Sequence, residues 1–321
     1  ALDHIGRIVL VNRAAEVIFG RVQEEVKTKY LIELVRDSEL DELVSRVLVG
    51  GQPGSIELVK DRSIVLNQIS PIFADNGRTR GAVIVSHDVT DLRRLEQMRT
   101  DFVGNVSHEL RTPLTSIKGF VETLLDGAAE IPSLRSKFLH IIQTETLRLQ
   151  SLIEDLLTLS RLENKDKRVE STAKLSLVQK AFEKIKPVIE PYAEARALKL
   201  QIELPEDLPA VLMGTDLLSQ ILLNLLENAV KYTSEGLVWL TGTVKEDKVV
   251  LEFGDTGCGI PKEDLPRIFE RFYRVDKARS REQGGTGLGL SIVKHIIEDS
   301  GGVISVKSKV GEGTVFICEL P

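Results

Sequence analysis

Apolar positions change their spacing twice along the chain, which divides it into three zones. In residues 1–90 they come in short runs. Residues 5–11, 55–59, 63–73 and 79–89 read as strands, and 12–20 as a short helix ended by its glycine. Asp61-Arg62 and Asn76-Gly77 separate the last three runs, and Asn-Gly is a strong hairpin signal. The zone predicts a small antiparallel sheet with helices inserted early.

Residues 91–163 lose the strand pattern and predict two long helices broken at 126–133, where Gly127 and Pro132 fall. On the first helix Leu95, Val103, Val106, Leu110, Leu114, Ile117, Val121 and Leu124 share one face. On the second Phe138, Ile142, Leu149, Leu152, Leu156 and Leu159 step by three and four, with Glu145 interrupting the stripe. A lone hairpin would leave both stripes wet. Two hairpins packed as a four-helix bundle would bury them, so the zone predicts a homodimer.

A charged, aperiodic segment at 164–171 reads as a linker. Residues 172–321 then mix periods. Helices are predicted at 175–195 (bent at Pro187 and Pro191), 216–232 and 289–300. Strands are predicted at 199–204, 237–244, 249–255, 303–307 and 313–320. The zone reads as a sandwich of sheet and helices, and the whole as a multidomain α+β chain with domains at 1–90, 91–163 and 172–321.

Composition narrows the classes. With 321 residues, 42% hydrophobic and 28% charged, the chain is that of a folded protein rather than a disordered one. A net charge of −6 argues against a nucleic-acid partner. No apolar run approaches the roughly 18 residues of a membrane span. Cys258 and Cys318 form no metal-ligand or disulfide spacing, which points to a reducing, cytosolic compartment. The pattern begins almost at Ala1, so a fragment of a longer protein is expected.

Four clusters carry candidate chemistry. The first is the octet from Ser107 to Leu114. On the helix wheel the apolar stripe lies across from His108, so the imidazole faces solvent, with Thr112, Ser116, Gly119 and Thr123 on its side. An exposed imidazole can be a nucleophile, and Glu109 beside it can hold the ring tautomer and take its proton. Pro113 removes one helical hydrogen bond just after the site. In the second cluster Asn224, Asn228 and Lys231 share one helix face, and amide oxygens with an ammonium suit a Mg²⁺–phosphate group. An amphipathic helix with an Asn-rich polar face is the alternative. Third, Asp255 at a strand end precedes Gly257 and Gly259, a pattern that admits a ligand close to the backbone or makes an ordinary turn. Fourth, the run Gly284, Gly285, Thr286, Gly287, Leu288, Gly289 opens a helix, where backbone N–H groups bind phosphate. A merely flexible loop would look the same. Between these lie 269–274, which end in Arg274, and a polar stretch at 276–283 that reads as a lid.

The four clusters occur together and in order, and the chain thereby resembles a bacterial two-component sensor histidine kinase over essentially its whole length. His108 matches the phospho-accepting histidine box. Residues 224–232, 255–260, 269–274 and 284–290 match the N, G1, F and G2 boxes of the family's ATP-binding domain, which is similar to the gyrase/chaperone/mismatch-repair ATPase fold. Residues 1–90 resemble a PAS sensor module less closely, on 6–15 and Phe19-Gly20. The arrangement is similar to phosphate-regulon and cell-wall sensor kinases. The resemblance implies ATP and Mg²⁺ as cofactors and a response-regulator receiver domain as partner. It also implies a bacterial inner-membrane anchor upstream of Ala1 in the full-length protein.

It further implies residue roles. His108 attacks the γ-phosphate through Nε2, Glu109 is the general base, and Thr112 orients a water for dephosphorylation of the partner. Asn228 coordinates Mg²⁺ with Asn224 in support, and Lys231, Tyr232 and Arg274 contact phosphate or ribose. Asp255 reads the adenine amine. Gly257, Gly259, Ile260, Gly285, Thr286, Gly287, Leu288 and Gly289 shape the pocket and lid. Ser116, Gly119, Phe120 and Thr123 dock the regulator, although Phe120 also reads as a packing residue at the stripe's edge. Two other classes are weighed. A superfamily ATP hydrolase would carry Glu where this chain has Asn224. A non-catalytic dimeric scaffold would show a broken histidine or glycine box. The PAS-like module has no cysteine for a flavin adduct and no setting for haem at His4 or His87. It reads either as structural and dimerising or as a small-ligand sensor.

Overall fold

The computed structural model describes residues 1–60, 63–163, 175–276 and 285–321. The expected turn at Asp61-Arg62, the linker at 164–171 and all of the lid at 276–283 but its first residue fall outside them. The chain divides into two units, Ala1–Val103 and Gly104–Pro321.

In the first unit a four-stranded antiparallel sheet runs in the order β1 (Leu2–Asp3), β4 (Thr79–Asp88), β3 (Ser63–Phe73), β2 (Gly54–Lys60). Helices α1 (Arg13–Phe19), α2 (Gln23–Val26), α3 (Leu31–Val35) and α4 (Ser38–Gly50) lie between β1 and β2 in the chain. The predicted first helix forms. Asn12 caps it by accepting from the Ala15 N–H, and Gly20 ends it in the left-handed region. On α4, Leu40, Val44 and Val47 form a buried stripe in one core with Leu58, Ile69 and Ala82 of the sheet. The Asn76-Gly77 turn joins β3 to β4, with Gly77 at φ 72° and Asn76 Oδ1 accepting from the Arg78 N–H.

The strand predicted at 5–11 does not form; only isolated bridges at Arg7 and Ile8 remain of it. Asp3 Oδ1 accepts from the N–H groups of both Ile5 and Arg7, and Gly6 takes φ 83°, so the chain turns where a strand would have run. The sheet edge is taken instead by Leu2–Asp3. It lies so close to Gly81 that a Cβ there would stand 2.2 Å from the Leu2 carbonyl oxygen.

The second unit takes up helix α5 (Thr90–Leu125) from Gly104 onward. A 3₁₀ turn at Ala128–Glu130 and helix α6 (Pro132–Glu163) follow. The break falls where Gly127, at φ 106°, and Pro132 predict it. Of the predicted stripes, Leu114 and Val121 on α5 are exposed, but Leu152 and Leu159 on α6 are already buried within the single chain; the exposed apolar residues of α6 are Leu139, Leu147, Ile153 and Leu157, beside the predicted stripe. Beyond the hairpin a five-stranded sheet has the order β10 (Val303–Lys309), β11 (Gly313–Leu320), β9 (Lys248–Asp255), β8 (Leu237–Lys245), β6 (Lys199–Glu203). Among the described strands of this sheet only β6 and β8 pair in parallel. Helices α7 (Val178–Glu194), α8 (Thr215–Tyr232) and α9 (Gly289–Asp299) belong to this part. Buried residues include Leu218, Leu222 and Leu226 of α8, Ile189 of α7, Leu240 of β8, Leu251 of β9 and Ile297 of α9.

The helix predicted from residue 175 begins only at Val178. Leu175–Ser176 forms strand β5, paired with the unforeseen β7 (Val211–Leu212), and Ser176 Oγ bonds to Thr215 Oγ1. Pro187 and Pro191 are accommodated inside α7. Among the described residues no helix is long and apolar enough to cross a membrane.

Candidate functional site

Three chain segments meet at the far end of α8. Asn224, Asn228 and Lys231 occupy one stripe of that helix, as their spacing predicts. Gly289 opens α9 against it; a Cβ there would stand 2.5 Å from Asn224 Oδ1, so a larger residue would push the Asn224 amide out of its present place. Strand β9 ends at Asp255, whose Oδ1 accepts from the Gly257 N–H at 2.8 Å. A Cβ on Gly257 would stand 2.3 Å from the Tyr232 carbonyl oxygen, which ties the third cluster to the end of α8. Ile260 is held by its N–H donating to Ser308 Oγ.

Electrostatics follow from this burial. The Asp255 carboxyl is only 6% exposed, and desolvation pushes its pKa up to about 6 against the backbone N–H groups of Gly257 and Thr314. The Lys231 ammonium is lowered to about 8, first by burial and then by the nearby Arg274 guanidinium, with Glu227 opposing. It lies 5.4 Å from the centre of the Tyr232 ring. Glu227 is itself raised by burial.

The glycine-rich turn is fixed on both sides. Gly287 takes φ 75°, its carbonyl accepts from the Phe272 N–H, and a Cβ on it would stand 2.9 Å from Phe272 Cα. Leu288 is fully buried and Gly285 half-buried; Gly284 lies outside the described residues. Thr286 donates through Oγ1 to Asp155 Oδ2 of α6 at 2.6 Å, and burial raises the Asp155 carboxyl.

The histidine box lies on α5. His108 is exposed, and Thr112 donates through Oγ1 to the His108 carbonyl oxygen at 3.1 Å. Glu109 is joined to the 269–274 segment: Arg274 reaches its Oε2 at 2.9 Å, and Arg148 of α6 reaches the same atom at 3.3 Å. The histidine box and the 269–274 segment, far apart in the chain, are thus bridged by the Arg274–Glu109 ion pair. Farther along α5, Ser116 is half-buried and Gly119 and Thr123 are exposed, away from these contacts. Phe120 packs on Phe138 of α6 with ring centres 5.1 Å apart, the contact expected of a packing residue. Sequence reasoning missed Arg148 and Asp155. The interruption at Glu145, 3.9 Å from Arg148, was the visible trace of the first.

Known proteins are similar to this chain in sequence and fold. Family models described as the PAS fold, the His Kinase A (phospho-acceptor) domain, and the histidine kinase-, DNA gyrase B- and HSP90-like ATPase match residues 1–89, 98–165 and 214–321. The sensor histidine kinase WalK of Bacillus subtilis is 35% identical over the whole chain, which covers 53% of that relative. A sensor protein kinase WalK of Staphylococcus aureus is 33% identical, with 77% of its length covered. Among solved structures, histidine kinase ThkA in complex with response regulator protein TrrA matches the whole chain at 25% identity, with TM-score 0.55 and 94% of that chain covered. Acinetobacter baumannii histidine kinase AdeS matches 66% of the chain at 27% identity, with TM-score 0.52 and 96% of that chain covered. The chain belongs to the sensor histidine kinase family. It spans about half the length of the first curated relatives it matches.

Proposed function

We propose that the chain is the signalling and kinase core of a two-component sensor. It phosphorylates His108 from ATP, passes the phosphoryl group to an aspartate of a response-regulator receiver domain, and dephosphorylates that partner. The observation that carries the reading is the ion pair of Glu109 with Arg274, which joins the histidine box to the nucleotide segment across 165 residues. The core divides into 1–90, 91–163 and 172–321. It works as a homodimer, and the exposed leucines of α5 and α6 supply the surface for a second hairpin. In the whole protein, on this reading, it lies beneath a membrane anchor.

The residues present fit Mg²⁺–ATP. Asn228, supported by Asn224, offers the amide oxygens that a hard cation prefers, beside the Lys231 ammonium and Arg274 for phosphate and Tyr232 for ribose. Bound Mg²⁺ would neutralise charge on the phosphates. Asp255 accepts from the adenine amine, and Gly257, Gly259, Ile260 and the 285–289 turn keep the backbone close to the nucleotide. In the chemical step the His108 Nε2 lone pair forms the N–P bond as the bond from γ-phosphorus to its bridging oxygen breaks and ADP leaves. Glu109 takes the Nδ1 proton. Incubation with γ-labelled ATP should therefore put acid-labile label on the chain; its absence would overturn the kinase reading.

Thr112 acts in the reverse direction by orienting a water at the phosphorylated partner. Its hydroxyl is one turn from His108 and is not needed for the histidine's own attack. Thr112→Ala should spare autophosphorylation and impair phosphatase activity, read as the decay of phosphorylated partner. Equal loss of both would contradict the division.

Ser116, Gly119 and Thr123, with Phe120 at the edge, form the docking surface for the regulator. A Cβ on Gly119 would meet nothing within 4 Å, so larger residues there disturb a partner rather than the chain itself. Exchanging Ser116, Gly119 and Thr123 for bulky residues should leave autophosphorylation nearly intact. It should slow phosphotransfer at least about tenfold, a cost of about 1.4 kcal/mol. A phosphotransfer time course from pre-labelled kinase decides it, and an unchanged rate would remove the surface.

A further inference from the structure

Arg148 stands on α6, a helix that carries none of the four chemical clusters. Its side chain is 11% exposed and reaches two carboxylates of the hairpin, Glu109 at 3.3 Å and Glu145 at 3.9 Å. Glu145 stands where an apolar residue would continue the stripe of α6. Desolvating such ions costs several kcal/mol each, and well-packed apolar residues often serve stability equally well or better. Stability alone therefore gives little reason for this cluster.

Glu109 has two cationic partners on one oxygen, Oε2, and they differ in what else they can reach. Arg274 lies beside the glycine-rich turn, its Nε 3.3 Å from where a Cβ on Gly287 would stand. That Nε is buried and has no hydrogen-bond partner. In the proposed reaction Arg274 leaves the carboxylate for phosphate. Arg148 is anchored within the hairpin and keeps both its partners. Its charge also contributes to the positive surroundings that lower the Lys231 ammonium.

We infer that Arg148 is a positioning residue for phosphorylation of His108: it holds one oxygen of the Glu109 carboxylate once Arg274 has turned to the nucleotide, and leaves the other to take the imidazole proton. The inference rests on the kinase reading. It assigns to a helix outside the nucleotide site a share in the chemical step, because a general base must be held within hydrogen-bond reach of its proton.

The test is Arg148→Met in the full chain, which keeps the apolar stem and removes the fork. Autophosphorylation kcat should fall at least tenfold, while the KM for ATP and equilibrium ATP binding stay within twofold. The midpoint of thermal unfolding should fall, because Glu145 then keeps a buried carboxylate oxygen without its cationic neighbour, and the retained ATP binding shows that the fold survives. Arg148→Lys, which keeps the charge but not the two nitrogens that reach separate carboxylates, should recover part of the rate. A kcat equal to that of the unsubstituted chain would overturn the inference and leave Arg148 a packing residue. An unchanged kcat with a raised KM would overturn it in favour of a nucleotide contact. If Arg148→Met does not fold, Arg148→Lys alone decides, and full activity there overturns the inference. Loss of acid-labile label in the unsubstituted chain is a different result: it removes the kinase reading, and this inference with it.

Discussion

His108→Gln should take no label from γ-labelled ATP and should bind ATP within a few-fold of the unsubstituted chain. The two halves of this result come from different parts of the fold. The imidazole is exposed on α5, while the proposed nucleotide residues are supplied by α8, the end of β9 and the turn opening α9. Glutamine is polar, similar in length and a good helix former, so an exposed position on a long helix tolerates it within about 0.5 kcal/mol. What it lacks is a nitrogen lone pair free to attack phosphorus. No other imidazole stands in the histidine box to replace it. Removing a nucleophile typically costs several orders of magnitude in rate, and label should fall below detection. Equilibrium binding of ATP to the same preparation separates loss of chemistry from loss of fold. Label retained on another residue would show that His108 is not the acceptor.

Much of this was legible in the sequence wherever the signal is local. The α8 stripe follows from Leu218, Leu222 and Leu226 at spacings of four, and the site face from Asn224, Asn228 and Lys231 between them. Asn12 and Gly20 bound α1, and Gly127 and Pro132 break the hairpin, because caps and breakers act within one turn. Residues 5–11 misled because their apolar content says strand, while a single carboxylate, Asp3, captures two backbone N–H groups and turns the chain. The start of α7 misled because the partner of Leu175–Ser176 is β7, where Ser176 pairs with Val211, distant in the chain and too short to announce itself. The contacts that assemble the site lie beyond any local pattern. Arg148 meets Glu109 across 39 residues, and Thr286 meets Asp155 across 131. Glu145 could be seen to break a stripe, but its neighbours could not be named until α5 and α6 were set side by side.

Asp255→Asn should make the nucleotide-free chain more stable above about pH 6 and less able to choose adenine. Burial raises the Asp255 carboxyl from the ordinary 3.8 to about 6, with the Gly257 and Thr314 N–H groups opposing. A folded pKa above the unfolded one means that the native state holds the proton more tightly. The stabilising contribution is complete below pH 3.8 and is lost as pH rises through 6. Above that the ionised form carries the whole penalty, on the order of 3 kcal/mol. Asparagine carries no charge and escapes it, while its Oδ1 can still accept from Gly257. The same exchange turns an acceptor into an amide donor. An amide N–H opposes the amino group of adenine and suits the carbonyl of guanine, so ATP binding should fall at least about tenfold and preference should move toward GTP. A residue that costs stability in the empty site and gains it back only with the right base is expected at a binding position. Thermal unfolding of both chains from pH 4 to pH 8 tests the first part, and the advantage of the variant should grow with pH. An advantage independent of pH would show that the carboxylate does not titrate there. Equilibrium binding of ATP and GTP at pH 8 tests the second, and an unchanged preference for ATP would remove Asp255 from the adenine contact.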